Sequence, residues 1–578
     1  MHRLSIMDLV NGDQPFADER GNYWAVENGE IYNANELRNE LIGLGHRFSS
    51  GSDAEVIPHV VEEWGLDGFT RLRGMYAIAV FDRQRGLLHL IRDRMGEKPL
   101  YIYRTPDSVW FASELRALVK SGCVTPVLEE ASVADYLLHG FVPEGTIICG
   151  IEKVEPGTIV TVSLSDGSMS TTHYWEPWQY LGVSTPRIKE LAAGIEEAVA
   201  VACSSDVPVG VALSGGLDSG LVAAIAARYV PDLRAFTVGY DTASSSDETR
   251  AAVKRATALN LEHTKVTVST ADVGKGYGAV TSARDEPIAD IAGPSYLALA
   301  HAFREEGVPV LLSAQGGDEL FWGYPWVQSA ALMYLTDRPP VVTSPAAYLS
   351  SLLLSRGGLL EGVRSLGGTR TYQRMKVLRQ PERLDRTAIP LFPLSPGFAK
   401  IWRNTRRLMT GDRIADPVLS YPISTPDVGL FIVGILQTYL RTNGLAQLDR
   451  LTMHRSVEAR TPLIDYKLVE YVLGHQGKEG AALREGKDLL RRSTQTLAPQ
   501  LGDFGRKQGF TPPIRAWMSA IWSYERKSLH DLALTETGLF SEKQLRRRIA
   551  RSISRLGEID TLAFRLLTLE LWWRDLST

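Results

Sequence analysis

Two patterns of apolar positions follow one another along the chain, and the change comes near residue 180. Before it, Tyr76–Asp82, Leu87–Asp93, Val109–Ser113 and Thr158–Leu164 are short runs rich in β-branched and aromatic residues, bounded by turn formers. They predict strands in antiparallel sheets. Ala34–Gly45 and Ser52–Gly65 carry helical periodicity and stop at a glycine. The first half therefore reads as α+β. At the junction Tyr174–Arg187, Thr185 as a cap and Pro186 as an opener predict a helix with Ile188, Leu191, Ile195 and Val199 on one face. Beyond it, the apolar runs Val207–Leu213, Leu233–Tyr240 and Val308–Ala314 alternate with helical segments, Leu217–Tyr229 and Ser246–Leu259 among them. That alternation predicts a parallel sheet covered on both faces. From about residue 325 the pattern is mainly helical, with a loop-like stretch at Pro390–Gly397. Two domains are expected, 1–180 and 186–578.

Composition narrows the function classes. The 578 residues include 63 Lys+Arg and 67 Asp+Glu, a balance that gives no electrostatic reason for nucleic acid or an anionic membrane as partner. Cys123, Cys149 and Cys203 have no paired spacing, which argues against a disulfide framework and against a zinc site. No apolar run reaches membrane-spanning length, and the first residues lack the apolar segment of a signal peptide. A cytoplasmic protein is expected.

The candidate chemistry starts at Leu213-Ser214-Gly215-Gly216-Leu217-Asp218-Ser219-Gly220. The glycines lie between a predicted strand and a predicted helix. There they let the backbone approach an anion, and the helix start offers free N–H groups. Ser214 and Ser219 add hydroxyls. Asp218 would repel a phosphate unless a Mg²⁺ stands between them. The Gly-Lys-Ser/Thr ending of a Walker loop is missing. The stretch Val308–Tyr324 repeats the logic: an apolar strand, the pair Gly316-Gly317, then Asp318 and Glu319. Ligands gather at the carboxyl ends of parallel strands, so both loops can face one site, with Asp318 as the second Mg²⁺ ligand. Glu319 reads either as a site acid or as a helix-start residue. Asp285 and Glu286, before another helix, read equally as helix-capping acids or as site acids.

These motifs, in this order, resemble the asparagine synthetase family over nearly the whole length. "GDQPF", "NGEIYN", "GSDAEVI", "GMYAIAVFD" and "RDRMGEKPLY" have the form of its glutaminase domain. "LSGGLDSG", "FTVGY", "SAQGGDELFWGY", "SVEARTPLID" and "GRKQGF" have the form of its synthetase domain. The resemblance implies an α/β protein with two parts. The first is an N-terminal Ntn-hydrolase-like sandwich, incomplete at its start; the second is an adenine-nucleotide α-hydrolase-like parallel domain with a helical extension. It implies ATP contacts at Leu213, Ser214, Gly215, Gly216, Asp218, Ser219, Val238, Ser313 and Ala314. Glutamine contacts are implied at Arg3, Asn28, Gly29, Glu30 and Asp53. In such an enzyme ATP activates a carboxylate as an acyl-adenylate, pyrophosphate leaves, and ammonia attacks, turning aspartate into asparagine. The attack needs a cation for the developing oxyanion and a carboxylate to take the proton. Lys507 and Glu458 are the candidates. Their competing readings are a surface lysine and a salt bridge from Glu458 to Arg460. The partners expected are small molecules: a carboxylate and ammonia or glutamine. A homodimer is left open.

Two departures stand out. The family's glutaminase begins with a nucleophilic cysteine whose free amine is its base. This chain begins Met-His-Arg, matching a point further into that domain, so it is expected not to hydrolyse glutamine as written. The retained Arg3, Asn28, Glu30 and Asp53 favour a start assigned too far downstream. The second departure is Gln315, where the family usually has a carboxylate. An amide cannot act as a base, which puts aspartate in doubt and leaves a specialised carboxylate as the alternative. Gly220 in place of a common serine is a milder change.

Overall fold

In the computed structural model the residues described are 3–241, 248–325, 327–328, 331–332, 387–389, 419–421, 428–477, 480–502, 504, 512–526, 531–550 and 561–577. Lys507 and the stretch Pro390–Gly397 lie outside them.

The first half is built on a six-stranded antiparallel sheet ordered Phe16–Ala17, Tyr23–Ile31, Gly74–Asp82, Leu87–Arg92, Thr158–Ser163 and Met169–His173. Its central strand Gly74–Asp82 is apolar from Met75 to Phe81 because both faces are covered. Ile78 and Val80 point to the helices Ala34–Leu44 and Val56–Trp64, packing with Leu37, Leu41, Val56 and Val60. Ala77 and Ala79 point the other way, with Leu90, Leu100, Ile102 and Val160. Leu100 and Ile102 lead into a three-stranded sheet of Val109–Ala112, Tyr101–Arg104 and Ile151–Lys153. The two predicted glycine stops hold: Gly45 and Gly65 follow the helices with φ of 107° and 63°.

The second half carries a five-stranded parallel sheet ordered Glu262–Val268, Arg234–Tyr240, Val209–Ala212, Val310–Leu312 and Glu458–Arg460. The junction helix runs Ile188–Ala202 with Arg187 at its N-cap, so Thr185 is not the cap expected. The helix Leu217–Tyr229 has the bounds read from sequence.

The halves share cores. Ile6, Met95 and Trp175 are buried in one cluster with Leu191, Val211 and Leu213. Tyr101, Leu115 and Tyr136 are buried in another with Trp517 and with Leu562, Leu566 and Trp572 of the final helix Thr561–Ser577. Ion pairs follow the same seam. Arg73 grips Asp465 through Nε at 2.7 Å and Nη2 at 3.0 Å, and Lys98 Nζ donates to Asp449 Oδ1 at 2.9 Å.

Candidate functional site

The order of the parallel strands fixes where a ligand can bind. From Val209–Ala212 the chain winds outward in one direction through Arg234–Tyr240 to Glu262–Val268, then returns to add Val310–Leu312 and Glu458–Arg460 on the opposite side. The switch point lies between Val209–Ala212 and Val310–Leu312, where the loops beyond neighbouring strands diverge and leave a crevice. The two glycine-rich loops follow these two strands.

In the first loop Ser214 Oγ and Ser219 Oγ lie 2.9 Å apart, and both bond the loop backbone: Ser214 N–H donates to Ser219 Oγ at 3.0 Å and Gly216 N–H to Ser214 Oγ at 2.9 Å. The hydroxyls thus shape the cradle. Glu248 Oε2 accepts from Gly215 N–H at 3.1 Å. A Cβ on Gly215 would stand 2.9 Å from Cβ atoms of both Glu248 and Ala251, so the loop passes the helix Thr249–Ala258 at a distance only glycine allows. Gly216 caps the helix without a side-chain bond, leaving its first N–H groups for a ligand. Thr237 Oγ1 donates to Leu213 O at 2.6 Å, and Val238 lies one residue further along that strand, half-buried.

The second loop turns through Gly316, at φ 92°, where a Cβ would overlap the Ile464 side chain. A Cβ on Gly317 would lie 3.0 Å from Asp218 Cγ, so the two loops touch. Ser313 N–H donates to Arg460 O at 2.8 Å, which carries Ser313 and Ala314 to the same sheet end.

The sequence reading missed the group on which both acids converge. Lys487 Nζ lies 2.5 Å from Asp218 Oδ2 and 2.9 Å from Asp318 Oδ1. Burial alone would lower the ammonium's pKa; the two carboxylates outweigh it and raise it. Lys487 stands at the N-cap of the helix Asp488–Leu497, a place where hydroxyls and acids are favoured and a cation opposes the dipole. That misfit was the available signal. Asp218 and Asp318 side chains keep 20% and 24% exposure, so both remain accessible. Two accessible carboxylates meeting on one cation are a fitting donor set for Mg²⁺.

Beside them, Gln315 Nε2 donates to Tyr296 Oη at 2.8 Å, while its Oε1 is buried with no hydrogen-bond partner among the described residues. A Cβ on Gly444 would lie 3.3 Å from that oxygen, within a π-helical segment, Leu436–Leu445. Glu319 is buried and accepts from Tyr324 Oη at 2.7 Å; burial, with Asp318 adding to it, pushes its carboxyl up to about 7.

Other expected site acids belong elsewhere. Asp285 and Glu286 are seam residues. Asp285 accepts from Leu115 N–H at 2.9 Å and Arg116 N–H at 2.8 Å, capping a helix of the first half, and pairs with Arg450 at 3.3 Å. Glu286 pairs with Lys153 at 2.7 Å and accepts from Tyr101 Oη at 2.7 Å. Glu458 opens the sheet's fifth strand, in register with Val310, at the amino end of the strands. It accepts from Arg460 Nε at 2.9 Å, the competing salt-bridge reading, and it is not brought to the crevice with Asp218 and Asp318.

The glutamine-contact set is largely gathered. Asn28, Gly29 and Glu30 follow one another on Tyr23–Ile31, and Asp53 Oδ2 accepts from Ile31 N–H at 2.8 Å. Gly29 has φ 152°, and a Cβ there would overlap Met75 O. Asn28 Nδ2 donates to Ser113 Oγ at 3.0 Å. Arg3 donates to Asp8 O at 3.0 Å, and Asp8 Oδ2 accepts from Gly51 N–H at 2.6 Å, tying the Arg3 loop to the turn before Asp53. Burial raises the carboxyl pKa values of Glu30 and Asp53, and Arg460 lies 3.6 Å from Glu30. Burial pushes the Cys149 thiol up to about 11, with Glu129 adding to it, and the Cys203 thiol up to about 12; Cys123 Sγ donates to Leu118 O at 3.2 Å. All three cysteines are free.

Comparison with known proteins adds the following. Residues 190–574 match the asparagine synthase family model, and residues 1–175 match the glutamine amidotransferase domain model. The chain is 31% identical to asparagine synthetase [glutamine-hydrolyzing] 1 of Bacillus subtilis over 536 residues, covering 89% of this chain and 80% of that protein. It is 30% identical to a putative asparagine synthetase of Mycobacterium tuberculosis, covering 90% and 81%. Similarity extends to amidase chry2 of Gibberella zeae, at 26% identity over 81% and 73% of the two chains.

Proposed function

Because this chain belongs to the asparagine synthase family, we propose that it is an ATP-dependent ligase that forms an amide by activating a carboxylate as its acyl-adenylate. The observation that carries the proposal is the meeting of Asp218 and Asp318 on Lys487 at the switch point of the parallel sheet. The domains expected from sequence, 1–180 and 186–578, serve as its two working halves.

The substrate carboxylate attacks the α-phosphorus of ATP, the bond to the bridging oxygen breaks, and pyrophosphate leaves with that electron pair. Asp218 and Asp318 would hold Mg²⁺, which neutralises charge on the departing diphosphate. The helix N-terminus after Gly216 would face the same anion. Lys487, with its pKa raised, stays a full cation and stabilises the charge that builds there. Ammonia then attacks the acyl carbon, AMP departs with the carboxylate-derived oxygen, and the ammonium proton passes to solvent or to a nearby base. Lys507, expected as an oxyanion partner, remains a candidate for that half-reaction, whereas Glu458 is committed to Arg460 at the amino end of the strands. The proposed nitrogen source is ammonia, supplied free or from glutamine through the half that matches the glutamine amidotransferase domain.

Gln315 favours a second reading, in which the acyl substrate is a specialised carboxylate. Its amide oxygen is an acceptor that cannot take a proton, whereas a carboxylate could. ATP–pyrophosphate exchange in the presence of ammonia separates the readings. Exchange that needs aspartate supports asparagine formation, exchange only with another carboxylate supports the second, and a folded protein with no exchange for any acid overturns both.

A further inference from the structure

Far from the crevice, four side chains of the first half form a cluster that neither half-reaction uses. Glu19 lies in the turn after Phe16–Ala17, His46 just past the helix Ala34–Leu44, and His59 and Glu62 one turn apart on Val56–Trp64. One ligand atom from each falls within 4.8 Å of all the others. Glu19 Oε2 is 3.3 Å from His59 Nδ1 and 3.5 Å from His46 Nδ1; the two Nδ1 atoms are 3.3 Å apart; His46 Nδ1 is 3.7 Å from Glu62 Oε2. A tetrahedron with metal–ligand bonds of about 2.0–2.1 Å has edges of about 3.3–3.4 Å. The cluster thus has nearly the dimensions of a four-coordinate site.

Three of the four ligands have an outward atom held as a metal site requires, while His59 Nε2 is buried with no hydrogen-bond partner among the described residues. Glu19 Oε1 accepts from Arg47 N–H at 2.6 Å. His46 Nε2 meets Glu63 Oε2 at 3.3 Å, the carboxylate–imidazole pairing that orients a ligand histidine. The Arg20 guanidinium lies 3.6 Å from Glu62 Oε1. The His59 ring is buried and packs on Phe48, with centroids 4.4 Å apart. Towards the centre the bonding is deficient. Glu62 Oε2 is buried without a hydrogen-bond partner, and two imidazole nitrogens face each other where one proton can serve only one contact. A divalent cation serves all four atoms at once, and two carboxylates with two neutral imidazoles balance its charge. Mixed nitrogen and oxygen ligands in a tetrahedron select zinc over magnesium or calcium.

We infer that Glu19, His46, His59 and Glu62 bind a structural Zn²⁺ that staples the Glu19 turn and the His46 loop to the helix following Asp53. The cysteine spacing gave no hint of it because no thiolate takes part.

The test uses the full chain, stripped with chelator and then titrated with Zn²⁺ or Co²⁺. One equivalent of zinc should remain after gel filtration, the melting temperature should rise with metal, and the Co²⁺ form should show the visible bands of four-coordination. His46→Gln and Glu62→Gln avoid the buried His59; each should weaken Zn²⁺ binding by at least about 100-fold and remove the metal-dependent rise in melting temperature. Glu63→Gln, one shell out, should weaken it roughly tenfold. No retained zinc in the wild-type chain, or zinc retained equally by both ligand variants, overturns the site.

Discussion

Asp218 and Asp318 come from loops after neighbouring strands, yet they share one counter-ion, the ammonium of Lys487. The cation comes from outside the parallel sheet, at the start of the helix Asp488–Leu497. Lys487→Met should lower ATP–pyrophosphate exchange by about 100-fold or more, the cost of losing one preorganised charge partner. Lys487→Arg should recover only part of it. Unchanged exchange in the methionine variant, measured on protein shown to be folded, would remove Lys487 from the reaction.

The two acids make a distinct prediction. Asp218→Asn or Asp318→Asn should reduce exchange and move its half-saturating Mg²⁺ concentration upward by about tenfold or more, since each substitution removes one charged oxygen donor. A Mg²⁺ titration at saturating ATP measures this. Loss of rate with no shift in the Mg²⁺ dependence would assign the acids to folding alone.

Gln315→Glu restores a group able to accept a proton where the amide oxygen now lies buried. If aspartate is the substrate, exchange driven by aspartate should rise by at least about tenfold, at the low end of what a positioned base contributes. If a specialised acid is the substrate, the variant should gain nothing with aspartate. It should lose exchange with that acid, because the Gln315–Tyr296 bond at 2.8 Å is altered.

Breaking the seam should cost stability before chemistry. Asp285→Ala leaves the Leu115 and Arg116 N–H groups without their buried acceptor and takes from Arg450 one of its two carboxylate partners, Asp449 being the other. The expected loss is about 3–5 kcal/mol, read from urea unfolding. The Mg²⁺ dependence of exchange in the fraction that stays folded should not move.

Acid sensitivity has a named source. Burial, with Arg565 adding to it, lowers the His139 imidazole to about 3 from an ordinary value of 6.5. The unfolded chain therefore takes up this proton first as pH falls. The contribution is fully present above pH 6.5 and is lost from there downward, by about 1.4 kcal/mol per pH unit. His139→Leu should flatten the difference in urea midpoint between pH 7 and pH 5; an equal slope in both proteins would place the sensitivity elsewhere.

Legibility in the sequence followed burial. Val209–Ala212, Val310–Leu312 and Gly74–Asp82 are covered on both faces and read as unbroken apolar runs. Glu262–Val268, at the sheet edge, opens with four polar residues, Glu262 to Lys265, and so gives no strand signal. Nor does Tyr23–Ile31, whose Glu27, Asn28 and Glu30 break the apolar pattern: the buried Glu27 and Glu30 lie near Asp53 and Glu458, and Asn28 donates to Ser113. Glu458–Arg460 has three residues, too few for any periodicity. Both glycine-rich loops are legible because each sets a glycine pair and an acid at the end of an apolar strand, and the second gains its weight from the first. Lys487 was not, because its partners are brought to it only by the folded sheet.

The shared core has a consequence for how the chain is made. Tyr101, Leu115 and Tyr136 belong to the half synthesised first, but the residues that cover them include Leu562, Leu566 and Trp572 of the final helix. During translation this apolar face must wait, uncovered, until nearly the whole polypeptide has left the ribosome. That interval exposes it to aggregation and makes a chaperone clamp useful. Slowing synthesis ahead of Thr561 should therefore lower the yield of native protein more than an equal pause before Ile188.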